Sequence, residues 1–223
     1  MSRAGFDVLV VCTANVSRSP LAAALLRHRL DERFGARASR VRVSSAGTRA
    51  LAGQGVDPVT AQVLQEVTGS PPEGFAARQL EEALVHEADL VLTMTRRHRA
   101  AVVDVLPTAQ RRTFTLPELA RIAAALPRGG GGRADADPAA GWRALLAAAP
   151  AMRGPTAPAD PAADDVPDVH RHPVAEHRST ARHLAAAVED VLEAVAAPAR
   201  PAAQRSASNG SASVAVSGWY PYP

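Results

Sequence analysis

The run Val10-Val11-Cys12-Thr13-Ala14-Asn15-Val16-Ser17-Arg18-Ser19-Pro20 carries the chain's only cysteine, with five residues between it and Arg18. Those residue types at that spacing suit one chemistry. A sulfur that attacks phosphorus must be a thiolate near neutral pH, a form favoured by helix N-termini and adjacent cations. Arg18 supplies a fixed charge, and its planar fork can grip two oxygens of a phosphate at once. The Ser19 hydroxyl can donate to the sulfur. The backbone amides of Thr13, Ala14, Asn15, Val16, Ser17 and Arg18, curled into a nest, would face the equatorial oxygens. Asn15 suits the tight bend because Asn tolerates left-handed backbone angles. The plainer reading is a buried strand-end thiol followed by an arginine that merely begins a helix.

The flanking sequence supplies the elements such a loop needs. Apolar Val8-Leu9-Val10-Val11 precedes it and Leu21-Ala22-Ala23-Ala24-Leu25-Leu26 follows, so it reads as strand, loop, helix. Pro20 falls in the first helical turn, where a missing amide proton costs little. Further strands are expected at 6–12, 40–45, 88–94 and 111–116. Helices are expected at 18–33, 57–68, 79–86, 96–106, 117–126 and 174–197. The alternation implies an α/β fold, a parallel sheet with helices on both faces. The cysteine loop would then lie beyond the carboxyl end of the first strand, where open α/β sheets take their ligands.

Further motifs follow in order: Ser45-Ala46-Gly47-Thr48, Ala77-Arg78-Gln79-Leu80, Ala88-Asp89-Leu90-Val91-Leu92-Thr93-Met94 and Asp165-Val166-Pro167-Asp168. Together with Cys-x5-Arg-Ser-Pro they make the chain resemble the low-molecular-weight protein tyrosine phosphatases over roughly residues 6–197. The resemblance implies a four-stranded parallel sheet of order 2-1-3-4 with the phosphate-binding loop after strand 1. It also implies Cys12 as nucleophile, Arg18 as phosphate ligand, Asp168 as general acid, support of the loop by Asn15, Ser19 and Ser45, and neither metal nor cofactor. Asp164 and Asp165 compete with Asp168 for the acid's role.

The chain departs from the family pattern at several places. Val169 replaces the Pro after the acid, and His170 stands where an aromatic residue is common. Ala14 occupies a position that is often Gly, which requires a negative φ there. Ser17 replaces a neighbouring cysteine, and Phe75 stands where a histidine often supports the loop, unless it is ordinary core. Val16 favours phosphotyrosine over phosphoarginine: related protein-arginine phosphatases carry a Thr there, and Val offers an apolar wall instead.

Composition sets the frame. The 223 residues, 47% hydrophobic, suffice for one domain of residues 1–197. Within it, 127–164 reads as a Gly/Ala/Pro-rich insertion that either borders the substrate or runs as a solvated linker. A helix is expected around Ala139–Ala148, with Trp142 as its anchor. Residues 198–223 read as a disordered tail holding both tyrosines, Tyr220 and Tyr222. The net charge of +3 comes from scattered arginines, with no lysine and no basic stripe, which argues against nucleic acid. His170, His172, His177 and His183 lack the cysteine or carboxylate spacing of a metal site. No signal or membrane-spanning segment is visible, and a lone cysteine fits the cytoplasm. The expected partner is a tyrosine-phosphorylated protein, with a bacterial tyrosine kinase the candidate that the resemblance suggests. Two rival functions are a small-thiol-dependent arsenate reductase on the same fold and a phosphotyrosine-binding module with weak catalysis.

Overall fold

A computed structural model describes residues 5–70, 74–127 and 137–197. Its centre is β1 (Phe6–Cys12), whose side chains alternate between two cores. Phe6, Val8, Val10 and Cys12 pack on one face, Leu9 and Val11 on the other. β1 has parallel neighbours on both sides, β2 (Val41–Gly47) and β3 (Leu90–Thr93), and β3 pairs in parallel with β4 (Thr113–Thr115). The strand order is β2-β1-β3-β4, as expected. A central strand buried on both faces reads as a continuous apolar run, which Phe6–Cys12 is apart from Asp7.

Helices cover both faces. α1 (Arg18–Phe34), α2 (Pro58–Thr68), α5 (Leu116–Ala125), α6 (Pro138–Met152) and α7 (Val174–Ala196) belong to the larger core. α3 (Glu82–Glu87) and α4 (Arg96–Val105) cover the other face, through Val85 and Val102. Each buried Leu or Val contributes roughly 1.5–3 kcal/mol. Local chemistry sets the helix starts: Asp57 caps α2 ahead of Pro58, Thr95 caps α4, and Thr115 with Glu118 forms a capping box on α5.

In the stretch read as an insertion, the helix expected around Ala139–Ala148 is present as α6, while residues 154–163 are mostly exposed. α6 is part of the core: Trp142 is fully buried and stacks on Phe6 with ring centroids 5.6 Å apart. α6 packs so closely on α7 that a Cβ at Gly141 would meet the Val195 carbonyl. The chain then crosses α5, where Arg121 holds the Thr156 carbonyl and pairs with Asp164 at 2.7 Å. The expected tail, with Tyr220 and Tyr222, lies outside the described residues, as does 128–136.

Candidate active site

The loop after β1 is shaped by its own carbonyl groups. Those of Cys12, Thr13, Ala14, Val16 and Ser17 accept N–H bonds from Thr48, Arg49, Leu51, Asp57 and Leu21 at 2.8–3.0 Å. The carbonyls therefore face outward into the protein. Among the described residues, no hydrogen bond is donated by an N–H of Thr13 to Ser17. Asn15 takes the bend at φ 57°, whereas Ala14 keeps a negative φ, as its side chain requires. The result is a ring of inward amides at the N-terminus of α1, a ready-made anion cradle.

Asn15 locks this ring from within. It is fully buried, and its amide donates to Ser19 Oγ and Ser45 Oγ at 2.9 Å each. Its carbonyl accepts the Arg78 N–H at 3.0 Å. Ser19 Oγ lies 2.9 Å from Cys12 Sγ; accepting from Asn15, it is free to donate to a thiolate. The structure thus brings Cys12, Asn15, Ser19 and Ser45 together. Phe75 is not part of this brace. It is half-buried beside Pro20, Val56 and Leu64, so Asn15 and Arg78 hold the loop unaided by a residue at that position.

Arg18 is 5% exposed, yet its guanidinium reaches the mouth of the loop. Nη1 donates to the Val166 carbonyl at 3.2 Å, and Nη2 lies 3.1 Å from Asp168 Oδ2. Asp168 is 60% exposed and its other oxygen accepts the His170 N–H at 3.3 Å. Its two competitors are occupied elsewhere. Asp164 is buried against Arg121. Asp165 binds the Arg96 N–H at 2.7 Å and the Arg96 side chain. Burial opposes the charge of Asp165, but the hydrogen bonds from Arg96 prevail and hold its carboxyl below the ordinary range. Of the three, Asp168 alone meets Arg18.

Two further residues join the site that the sequence reading passed over. His98 is buried, with Nε2 2.8 Å from Thr13 Oγ1 and Nδ1 2.9 Å from Thr95 Oγ1. Burial, then the charge of Arg18, pushes it down to about 4, so it is neutral at pH 7. Its signal was positional: a histidine in the first turn after β3, beside β1. Asp57 donates its N–H to Val16, caps α2, and accepts from Thr60, whose hydroxyl meets His177 Nδ1 at 3.0 Å. The Asp-Pro pair at a helix start was its signal. His170 reaches back toward this cap, with Nδ1 3.7 Å from Asp57 Oδ2. Val16 and Val169 are buried, and the Ser17 hydroxyl is buried without a hydrogen-bond partner. The late histidines lie apart: His172 pairs with Glu176, His177 with Thr60. Among the described residues, no cluster of His, Cys, Asp and Glu could hold a metal ion, and no helix is long and apolar enough to cross a membrane.

A strand-end thiol, an amide cradle, a buried arginine and an exposed carboxylate form the geometry of cysteine-based phosphoryl chemistry. Comparison with known proteins agrees with it. A family model described as low molecular weight phosphotyrosine protein phosphatase matches residues 7–124. The chain belongs to that family. Among relatives of this phosphatase family, a low molecular weight protein-tyrosine-phosphatase Wzb of Salmonella typhi is 44% identical over 107 residues, covering 48% of this chain and 66% of that protein. The Wzb of Escherichia coli K12 is 39% identical over 101 residues, covering 45% of this chain and 63% of its own. The chain thus matches less than two thirds of the length of these relatives. The family match ends before α6 and the acid loop, and it is the three-dimensional structure that brings Asp168 to the cysteine loop.

Solved structures extend the likeness of fold. A low molecular weight protein tyrosine phosphatase from T. tengcongensis superposes with TM-score 0.60 at 23% identity, covering 85% of this chain and 99% of that one. A YwlE arginine phosphatase from Geobacillus stearothermophilus gives 0.57 at 24% identity, covering 84% and 91%.

Proposed function

We propose that the chain is a metal-independent protein-tyrosine phosphatase. The observation that carries this reading is the Cys12 loop, with Ser19 Oγ 2.9 Å from the sulfur and loop carbonyls bonded outward. Cys12 Sγ attacks phosphorus in line, forming the S–P bond as the P–O bond to the phenol breaks. Arg18 and the loop amides hold the phosphoryl oxygens, and Asp168 gives its proton to the leaving oxygen. Asp168 then takes a proton from water as that water breaks the S–P bond and releases phosphate. Before substrate arrives, the Arg18–Asp168 pair at 3.1 Å keeps both groups at the mouth. A phosphate dianion competes for Arg18 and frees the Asp168 carboxyl to face the leaving oxygen in the first step.

Val16 supports phosphotyrosine over phosphoarginine, because its apolar side chain gives a guanidinium no acceptor. The Wzb and Etp relatives of Salmonella typhi and Escherichia coli, named low molecular weight protein-tyrosine-phosphatases, support the same substrate class. A tyrosine-phosphorylated bacterial protein is the substrate we assign, a tyrosine kinase among the candidates, and the cytoplasm is the compartment.

The test is a comparative assay on phosphotyrosine peptide, phosphoarginine, and arsenate with thiol. Phosphotyrosine should turn over, and Cys12→Ser should abolish that. Asp168→Asn should lower kcat/KM on phosphotyrosine by about 10²–10⁴-fold. Activity retained in purified Cys12→Ser, or turnover of arsenate alone, would overturn the reading. Tight phosphopeptide binding with no turnover by the wild type would make the protein a binding module instead.

A further inference from the structure

Most described arginines are committed to a partner, as Arg42 is to Asp7, Arg121 to Asp164 and Arg178 to Glu66. Arg49, Arg97 and Arg171 are not. All three are exposed, and among the described residues none makes an ion pair or a side-chain hydrogen bond. Their placement follows from the sheet. β2 and β3 flank β1, so the loops beyond them stand on either side of the Cys12 loop. Arg49 lies in the first, its N–H bonded to the Thr13 carbonyl at 2.9 Å. Arg97 lies in the second, adjoining His98, which bonds Thr13 Oγ1 at 2.8 Å. Arg171 lies three residues beyond Asp168, in the left-handed region at φ 67°, and adjoins His170, whose Nδ1 is 3.7 Å from Asp57 Oδ2.

The carboxylates nearby do not neutralise them. Asp168 faces Arg18, Asp165 faces Arg96, and Asp57 is spent on the cap of α2. Asp160 caps its own turn. The two other described arginines without partners, Arg111 and Arg182, lie elsewhere: Arg111 precedes β4 at the opposite end of the sheet, and Arg182 is in the third turn of α7.

From this arrangement we infer that the mouth is a docking surface for acidic polypeptide, and that the preferred substrate is a phosphotyrosine flanked by Asp or Glu. This deepens the phosphatase reading and rests on it. The phosphoryl group is held in the loop, and three unpaired guanidinium groups on the segments around it meet the carboxylates of the flanking residues. Such charges raise the encounter rate and fix the register of the bound chain. Because they are exposed, each contributes about twofold to fivefold at low salt.

The experiment compares three phosphotyrosine peptides on the full chain, with flanking Asp/Glu, flanking Ala and flanking Lys. At low salt, kcat/KM should fall by roughly tenfold from the acidic to the alanine peptide and further with lysine. At about 0.5 M salt the three should converge, because screening then acts within a few ångströms. Arg49→Gln/Arg97→Gln/Arg171→Asn should remove the preference and leave nitrophenyl phosphate hydrolysis within about twofold; Asn suits the left-handed backbone at 171. Arg111→Gln/Arg182→Gln, which removes two charges against three, should keep the preference. A wild type that turns over nitrophenyl phosphate but treats all three peptides alike would overturn the inference. Anisotropy of the same peptides on Cys12→Ser answers independently of turnover. Selective binding there supports the surface even if the phosphatase reading fails, and equal binding of all three overturns it.

Discussion

Gly47 is where the fold touches the chemistry most tightly. It ends β2 directly opposite Cys12, and a Cβ built on it would lie 2.5 Å from the Thr13 carbonyl oxygen and 3.0 Å from the Asn15 nitrogen. Ordinary contact begins near 3.4 Å. In Gly47→Ala the loop must therefore retreat by about 0.9 Å, since the atoms it meets are backbone and cannot rotate away. Gly47 cannot give way itself: its N–H bonds the Arg78 carbonyl at 3.0 Å and its carbonyl accepts from Leu80 at 2.8 Å. Displacing Thr13 and Asn15 by such a distance disturbs the cradle, the Asn15 bonds and the Ser19–Cys12 contact together. A misplacement of about 1 Å costs on the order of 10²-fold in rate, and overpacking costs about 1–3 kcal/mol of stability. The assay is kcat/KM on nitrophenyl phosphate beside the urea midpoint. Gly69→Ala is the control: Gly69 sits at φ 70° with nothing within 4 Å of an added Cβ, at the far end of α2. It should lose about 1 kcal/mol from backbone strain and keep its activity. If Gly47→Ala retained activity within about threefold while losing no more stability than Gly69→Ala, the rigidity argued for this loop would be refuted.

Ser19→Ala removes the hydroxyl beside the sulfur and leaves an Asn15 N–H without its acceptor; a hydrogen bond to a charged group contributes about 1.5–3 kcal/mol, so kcat/KM should fall by at least tenfold. Unchanged kinetics would show that the 2.9 Å contact does not act on the thiolate. His98 titrates near 4 in the fold against an ordinary 6.5. The unfolded chain therefore takes up the proton first as pH falls, and native stability declines from about pH 6.5 to about 4 and levels below that. In His98→Asn the part of the urea-midpoint decline due to this group should vanish from that window, and an identical pH profile would count against a neutral His98. His170→Ala frees the acid loop from the Asp57 side; kcat/KM should fall severalfold more on phosphotyrosine than on nitrophenyl phosphate, whose leaving group needs no proton, and equal losses would point to general destabilisation. Peroxide without a small thiol should carry Cys12 to sulfinic and sulfonic acids, since the sequence holds no second cysteine; full recovery with a dithiol at every dose would contradict this.

The site was legible in the sequence as far as it is local. Cys12, Asn15, Arg18 and Ser19 sit within one strand–loop–helix passage, so their types and spacing already state the chemistry. Asp168 was named by the resemblance alone, and telling it from its two competitors required the third dimension. Three aspartates stand within five residues of each other, and only the partners Arg121, Arg96 and Arg18 separate two structural carboxylates from the one at the mouth. His98, Asp57 and the Arg78 amide act on the loop from other elements, so even the Asp-Pro pair, which marks a helix start, does not reveal the contact with Val16.

Element boundaries shifted for the same reason. α3 was expected from 79 but begins at Glu82, because Gln79 is held in a parallel bridge to Gly47. β3 was expected from 88 but begins at Leu90, because the Ala88 carbonyl accepts from Arg112 and the Asp89 side chain accepts the Asp7 N–H. α6, expected around Ala139–Ala148 with Trp142 as its anchor, runs longer, over Pro138–Met152, and Trp142 stacks on Phe6 across the fold. Each shift replaces a local preference with a long-range bond, and the most consequential of them converge on the Cys12 loop. A cradle whose amides must face one anion cannot be built by its own residues alone. Its carbonyls need acceptor-satisfying N–H groups from outside, and here they come from the β2–α2 segment, the Asp57 cap and α1. Reactivity at Cys12 is therefore expected to respond to substitutions in residues 47–57 that displace the backbone N–H groups holding loop carbonyls outward, whereas a side-chain change that leaves such an N–H in place, as at Arg49, should spare it.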